Sequence, residues 1–263
     1  MTAAPAPRIR LEGGAALLCT RRTTGMIPVH LFCIPYAGGS AASYYKWKSR
    51  LSDRLRLHPL EMAGRGLKSK QPFYESLDHA ATELCEEVIR TIGQEEEYIL
   101  FGHSMGSLLA FELYYKLRSA GYKEPVHLFV SGGKAPHFDR RPIVHDKPLE
   151  EFREYVLGYD EASRVVFEDE QLLKYFEPVL RSDFKLVELY RFSAKARRVG
   201  CPMTVFTGTR DQSLTREEVL AWKEHGGCGV RIHSVDGGHF FINDHSDSII
   251  QQINEAASPL DIG

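Results

Sequence analysis

The sequence lacks the features that mark disulfide-bonded, membrane-spanning and nucleic-acid-binding proteins. Its 263 residues include only five cysteines, an odd number without a C-x-x-C pair, which argues against a disulfide framework or a zinc site. No apolar run approaches the roughly 20 residues that a membrane-spanning helix needs. The chain has 33 Lys and Arg residues and 35 Asp and Glu residues, so its formal net charge is −2. This balance gives no reason to expect a polyanionic partner. We therefore expect a cytoplasmic protein with reduced cysteines that binds neither membrane nor nucleic acid.

Strand and helix patterns alternate along most of the chain. Residues 1–26 mix Ala, Pro, Arg and Gly without sustained periodicity, so they are predicted to form a partly disordered N-terminal extension to a domain at 27–258. Apolar runs that fit buried strands lie at Val29–Ile34, Leu55–Leu60, Tyr98–Phe101, Val126–Val130, Met203–Phe206 and Val230–Ser234. Helical spacing occurs at Leu77–Ile92, 108–117 and Arg216–Glu224. This alternation predicts an α/β fold with a mostly parallel central sheet flanked by helices.

One interval is too long for a simple connection between two strands. About seventy residues separate the strand that ends near Ser131 from the strand that begins near Met203. They contain helical patterns at Leu149–Leu157, Glu170–Leu180 and Asp183–Phe192. We expect an inserted helical lid at about 138–197, since structureless loops of this length are uncommon. Ordinary core helices in a larger sheet are the alternative.

The strongest chemical signal is the segment Gly102-His103-Ser104-Met105-Gly106, which fits G-x-S-x-G between a predicted strand and a predicted helix. In such a turn the serine is held in a strained conformation above the sheet, and side chains two positions away on either side would clash. Glycines are therefore needed at both ends of the motif. The pattern in this context predicts the α/β-hydrolase fold, with Ser104 as a catalytic nucleophile.

A serine hydroxyl needs a general base, and that base needs a carboxylate that fixes its tautomer. In this fold the acid and then the histidine follow the serine along the chain. His239 fits best as the base, because it lies after the last predicted strand in a glycine-containing loop, whereas His103 is expected to be structural. Asp211 directly follows the strand at Met203–Phe206 and is the favoured acid. Asp139 is the alternative acid, since it follows an earlier strand, and Asp236 lies too close to His239 along the chain.

Hydrolysis at this serine also requires two donors for the oxyanion of the tetrahedral intermediate. The first should be the backbone N–H of Met105, the residue after the nucleophile. The second should come from the loop Pro35-Tyr36-Ala37-Gly38-Gly39-Ser40, with the N–H of Ala37 as the donor. A plain strand-to-helix turn is the other interpretation of this loop. No metal or cofactor is needed for this chemistry, and we expect none.

Several motifs occur together in the chain: Pro35–Ser40, Gly102–Gly106, Ser131-Gly132 with Ala135-Pro136-His137, Leu180–Asp183, Gly208-x-x-Asp211 and Gly237–Phe240. As a set, these motifs resemble those of the type II thioesterases, the stand-alone editing enzymes of polyketide and nonribosomal peptide synthases. This family is related to the medium-chain acyl thioesterase of animal fatty acid synthesis, and the similarity extends from about residue 29 to about residue 253.

The resemblance implies hydrolysis of aberrant or stalled acyl groups from the phosphopantetheine arm of acyl or peptidyl carrier proteins, by a monomeric enzyme. It assigns Ser104 as nucleophile, His239 as base and Asp211 as acid, with the N–H groups of Ala37 and Met105 as oxyanion donors. Type I thioesterase domains commonly place the acid after the strand that follows the nucleophile helix. Here that point reads Gly133-Lys134-Ala135, without a carboxylate, which favours the stand-alone type.

The chain departs from the family pattern in two places. The family usually has Pro-Gly-Arg where this chain has Ala63-Gly64-Arg65, and the N-terminal extension is longer than expected. Neither departure affects the predicted triad. Two other hypotheses remain at this stage: a carboxylesterase, lipase or acyltransferase with the same triad, and a non-catalytic protein that docks carrier proteins. A complete triad argues against the second.

Overall fold

The structure is a computed structural model that describes residues 27–140, 142–159 and 163–258. The predicted N-terminal extension, residues 1–26, lies outside the described residues.

The strands of the described part form a single parallel sheet with the order β2-β1-β3-β4-β5-β6. They are β1 Val29–Ile34, β2 Leu55–Pro59, β3 Glu97–His103, β4 His127–Ser131, β5 Met203–Gly208 and β6 Val230–Val235. Their central members are buried almost throughout, which explains why they appear in the sequence as continuous apolar runs. The predicted α/β fold with a mostly parallel sheet is confirmed, and the predicted strand bounds are close to the observed ones.

Helices cover both faces of this sheet. They are α1 Ala42–Tyr45, α2 Leu77–Thr91, α3 Met105–Ser119, α4 Leu149–Leu157, α5 Arg164–Glu168, α6 Glu170–Glu188, α7 Arg216–Leu220, α8 Phe241–Asp244 and α9 Ser246–Ala257. Helices α2 and α3 pack on one face, and α1 and α9 contribute to a second core on the other. Within the described ranges, no helix is both long enough and apolar enough to cross a membrane.

The long interval between β4 and β5 contains α4, α5 and α6, which share a small apolar cluster of their own. Two helices predicted within it, Glu170–Leu180 and Asp183–Phe192, are instead the single helix α6. That part of the prediction is wrong because the buried face of the helix continues from Leu180 to Asp183 and Leu186, so Arg181 and Ser182 remain helical. The helix ends at Glu188 rather than at Phe192. Asp169 caps its N-terminus by accepting hydrogen bonds from two backbone N–H groups.

The order of the strands fixes where a site can form. Among the described strands, β1 is followed by β2 on one side and then by β3 on the other side of β1, so the connections after β1 and β3 lead in opposite directions. In open parallel sheets, ligands bind at such a switch point, outside the carboxyl ends of the strands. The register places Ile34 beside Gly102. Consequently the loop after β1 lies against the turn that carries Ser104.

Candidate active site

Ser104 lies in a strained turn between β3 and α3. Its backbone has φ 54° and ψ −115°, and it is the one non-glycine residue of the described ranges with a positive φ. Such a conformation costs on the order of 1–3 kcal/mol, and surrounding structure must maintain it. The Ser104 N–H donates to the carbonyl of Ser131 at 2.7 Å, which ties the turn to the end of β4. The predicted strand, tight turn and helix are therefore present.

The two glycines of the motif are required by close approaches of backbone atoms. A Cβ at Gly102 would lie 1.9 Å from the carbonyl oxygen of Gly106, and a Cβ at Gly106 would lie 2.3 Å from that of Ile34. Both obstacles are main-chain atoms of β1 or the turn itself, so neither can rotate away. The turn can therefore exist only with glycine at both positions.

We expect Gly102→Ala to destabilise the protein severely, by about 4 kcal/mol or more, because the methyl group would displace backbone atoms. Gly93→Ala is the matched control, since its Cβ would meet only the Glu96 carboxylate at 3.7 Å. That control should change the free energy of unfolding by about 1 kcal/mol or less. Urea denaturation of the purified variants measures both values, and similar stabilities for the two variants would contradict this account of the turn.

The structure brings the three predicted triad residues together. The Nε2 of His239 lies 2.9 Å from the Ser104 Oγ, and its Nδ1 lies 2.8 Å from the Asp211 Oδ2. His239 follows β6 and Asp211 follows β5, so all three side chains meet at the carboxyl edge of the sheet. The side chains of His239 and Asp211 are 5% and 1% exposed, which keeps their hydrogen bond away from competing water. This arrangement allows a proton to pass from the serine hydroxyl to the imidazole.

The Asp211 carboxylate remains ionised at this site. Burial by itself would raise the pKa of Asp211, but hydrogen bonds from His239 and Ser213, together with the charge of His239, lower it below its usual value. Ser213 donates to the Asp211 Oδ1 through its hydroxyl at 2.6 Å and its backbone N–H at 3.0 Å. The sequence analysis did not identify Ser213, although an aspartate two residues before a serine is a known turn pattern.

The two alternative acids lie elsewhere. Asp236 is exposed and contacts Thr209 and Arg210 rather than His239. Asp139 lines a separate cavity with Phe138 and residues 190–192, and that cavity is not lined by Ser104. Of the three aspartates considered, Asp211 is therefore the one placed at the imidazole.

His103 is fully buried beneath the site. Its Nδ1 lies 2.8 Å from the Ser131 Oγ, and its ring packs 5.4 Å from the ring of His239. Burial, and secondarily the repulsion from His239 when that ring is protonated, lowers the pKa of His103 to about 3. The ring is therefore neutral at physiological pH, and it packs against the ring of His239.

The lowered pKa of His103 predicts a loss of stability in acid. In the unfolded chain this histidine takes up a proton near the ordinary histidine pKa of 6.5, whereas burial in the folded protein keeps its pKa at about 3. Stability should therefore fall as pH decreases from 6.5 toward 3, by about 1 kcal/mol per pH unit from this residue. Urea denaturation between about pH 6 and pH 4 should show a steeper decline for the wild type than for His103→Gln. Parallel declines would contradict the assignment.

The two predicted oxyanion donors border the same space as Ser104. Met105 begins α3, so its N–H has no acceptor within the helix, and the positive end of the helix dipole lies at this point. Ala37 lies in the loop after β1 and lines the cavity together with Ser104 and Met105. Within the described part of the chain, neither N–H donates to a protein acceptor. Both groups are thus available to a bound substrate.

Two cavities reach the serine. A cavity of about 110 Å³ and a wider one of about 640 Å³ share Ser104, Met105 and His239 among their lining residues. The outer wall comes from the insert between β4 and β5, whose apolar and aromatic side chains at the smaller cavity are Tyr155, Val156, Tyr159, Leu180, Phe184 and Val187. The Tyr159 ring packs 4.9 Å from the His239 ring, a contact that the sequence analysis did not anticipate.

Three charged side chains at the smaller cavity, Lys134, Arg140 and Glu188, have protein partners. Lys134 lies 3.3 Å from the Glu218 carboxylate. Arg140 donates to the carbonyl of Ala135 at 2.8 Å, and burial lowers its pKa to about 10, so it remains a cation at neutral pH. Glu188 accepts from the backbone N–H groups of Val144 and His145 and contacts the His145 ring at 2.5 Å. With these groups engaged, the aromatic and aliphatic side chains of the insert present a largely apolar surface beside the serine.

The chain is similar to known proteins over most of its length. Residues 29–257 match the protein family described as the thioesterase domain. The chain is 30% identical over 250 residues, 94% of either chain, to the linear gramicidin dehydrogenase LgrE of Brevibacillus parabrevis. It is 35% identical to ClbQ of the colibactin pathway, with a TM-score of 0.83 over 87% of this chain and 96% of ClbQ. It is 30% identical to RedJ, the thioesterase of the prodiginine pathway in Streptomyces coelicolor, with a TM-score of 0.81 over 87% of this chain and 90% of RedJ.

Proposed function

Because the chain belongs to the thioesterase family, we propose that it is a type II thioesterase that removes acyl groups from the phosphopantetheine arm of acyl or peptidyl carrier proteins. The observation that carries the proposal is the hydrogen-bonded series Ser104, His239 and Asp211 at the carboxyl edge of the sheet. The name of LgrE points to a redox reaction for that protein. For this chain the serine geometry and the family match favour hydrolysis.

In the proposed reaction, the Ser104 oxygen attacks the thioester carbonyl while His239 accepts the hydroxyl proton. The N–H groups of Ala37 and Met105 stabilise the resulting oxyanion. The carbon–sulfur bond then breaks, and the imidazolium returns the proton to the departing thiolate. Water, deprotonated by His239, attacks the acyl-serine ester and releases a carboxylic acid, while the proton returns to Ser104. Asp211 remains a carboxylate and stabilises the imidazolium throughout.

We propose that the insert at about 138–197 acts as the lid of an acyl chamber. Its aromatic and aliphatic side chains line the space above Ser104, and its hydrophobic cluster is separate from the two cores of the sheet. An acyl chain could therefore be bound by apolar contacts while the thioester lies at the serine.

We also propose that the enzyme works as a monomer in the cytoplasm, without a nucleic-acid or membrane partner. The near-balanced charge argues against a nucleic-acid partner. The free thiols of Cys33, Cys85, Cys201 and Cys228 are typical of a reducing compartment such as the cytoplasm. Light scattering of the purified protein should give the mass of one chain, 29.8 kDa. A mass of two chains at micromolar concentration would contradict the monomer.

The proposal is tested by comparing a thioester with its oxygen analogue. Hexanoyl-pantetheine and the matching hexanoyl ester present the same acyl group, so the difference in kcat/KM reports the leaving group and its recognition. We expect hydrolysis of the thioester to be faster by at least about tenfold, because a thiolate leaves more readily than an alkoxide. Faster hydrolysis of the oxygen ester would instead support a carboxylesterase.

A further inference from the structure

A buried ion pair holds the loop after β1, which carries one of the proposed oxyanion donors. We call Pro35–Ser40 the oxyanion loop. Asp183, on helix α6 of the insert, accepts a hydrogen bond from the Gly38 N–H at 2.8 Å. Arg65, from the segment after β2, donates to the Gly39 carbonyl at 2.9 Å. The loop backbone is thus fixed by a donor and an acceptor on adjacent residues.

The two side chains also bind each other. Both terminal nitrogens of Arg65 contact the Asp183 carboxylate, at 2.6 Å for each oxygen. Their side chains are only 4% and 1% exposed. A buried pair of this kind contributes little net stability relative to apolar side chains of the same volume, because both charges must leave water. Stability alone therefore gives no reason for placing a carboxylate and a guanidinium at this point.

We propose that Arg65 and Asp183 are positioning residues for the oxyanion hole: they orient the backbone at Ala37 and couple helix α6 to the catalytic centre. The inference rests on the proposed function, because it assumes that the Ala37 N–H stabilises an oxyanion.

The geometry explains how the pair reaches Ala37. The Gly38 N–H belongs to the peptide group that follows Ala37, so fixing its direction restricts rotation about the Ala37 backbone. The Gly39 carbonyl is fixed by Arg65, and Gly38 between these anchors has φ +78°, a conformation that glycine tolerates. Oxyanion donors act only within a narrow range of distance, and a displacement of about 1 Å can lower a rate about 10²-fold.

The insert makes a second contact with the same loop. Leu180 precedes Asp183 by one helical turn on α6, and its Cδ2 would lie only 2.6 Å from a Cβ at Gly38. One helix face therefore presses a methyl group and a carboxylate against the same glycine, while Phe184 and Val187 of that helix line the cavity above Ser104. A shift of α6 that accommodates an acyl chain would also move the acceptor of the Gly38 N–H. Occupancy of the chamber and the geometry of the oxyanion hole are thereby linked.

Two variants test the pair. Asp183→Asn removes the charge, while the double variant Arg65→Met/Asp183→Leu replaces both ions with apolar side chains of similar size, which commonly restores stability. Glu177→Gln is the matched control, because Glu177 forms an ion pair with Arg181 on the same helix α6 and does not line either cavity at the serine. Each variant is assayed for kcat and KM with hexanoyl-pantetheine, for thermal stability, and for binding of hexylboronic acid, which forms a tetrahedral adduct with an active serine.

For both variants of the pair we expect kcat to fall about 10- to 100-fold, while KM changes less than about threefold. Affinity for hexylboronic acid should fall by a similar factor, since the adduct places an oxygen in the oxyanion hole. The double variant should remain slow although its melting temperature is close to that of the wild type. Glu177→Gln should match the wild type in all four measurements.

Recovery of kcat together with thermal stability in the double variant would overturn the proposal, because the pair would then be merely structural. Unchanged boronate affinity in both variants would also overturn it. Boronate binding needs the serine and the oxyanion donors but no thioester. If the wild type binds the boronate and does not hydrolyse the thioester, the proposed function fails, and the boronate comparison still decides the role of the pair.

Discussion

Ser104→Ala should reduce the hydrolysis of acyl-pantetheine thioesters by roughly 10⁴-fold or more. The remaining hydrolysis would come from direct attack of water on the bound thioester. The reason is that the Ser104 Oγ is the atom 2.9 Å from the Nε2 of His239 and the one hydroxyl placed at that nitrogen in the described residues. The kcat of the purified variant, measured by detection of the released thiol, gives this value.

Ser248→Ala is the control for that loss, since Ser248 lies on helix α9 and lines neither cavity at the active site. Its kcat should equal that of the wild type within about twofold. The circular dichroism spectrum of Ser104→Ala should match that of the wild type, because alanine tolerates a positive φ no worse than serine does. Turnover by Ser104→Ala at a rate near that of the wild type would contradict the nucleophile assignment.

Asp211→Asn should lower kcat by about 10³- to 10⁴-fold while the fold is retained. An amide cannot stabilise the imidazolium, and its NH₂ group can donate to the Nδ1 of His239, which would favour the wrong tautomer. The carboxylate has two further bonds from Ser213, so these should keep the asparagine side chain in place. The loss of rate would then reflect chemistry rather than displacement, and a crystal structure of the variant together with its kcat would show this.

The matched controls are Asp139→Asn and Asp236→Asn, which make the same chemical change at the two alternative positions. Both carboxylates lie away from the His239 imidazole, so each variant should retain kcat within about twofold. If Asp139→Asn loses as much activity as Asp211→Asn, the assignment of the acid is wrong.

The parts of the fold that could be predicted from the sequence are those with strong local patterns. Buried strands such as Val29–Ile34 are continuous apolar runs, and the turn at Ser104 needs glycines at fixed offsets because backbone atoms approach there. The loop positions of Asp211 and His239 followed from the strands that precede them. For these residues, the local sequence pattern is enough to indicate their position in the fold.

The interactions that escaped prediction join residues that are distant along the chain or depend on continuous packing. Arg65 and Asp183 are separated by 118 positions, and only the folded insert brings them to the oxyanion loop. Tyr159 contacts His239 for the same reason. Helix α6 was divided at residues 181 and 182 in the prediction, although it is one element, because its buried face continues across them from Leu180 to Asp183.

The measurement that tests the account most directly is the intact mass of an acyl carrier protein loaded with a hexanoyl group. Mixed with catalytic amounts of the wild-type enzyme, the carrier protein should lose the mass of the acyl group and keep its phosphopantetheine arm with a free thiol. With Ser104→Ala, the acylated mass should persist over the same time. Loss of the acyl group at equal rates with both enzymes, or with neither, would contradict a serine thioesterase that acts on carrier proteins.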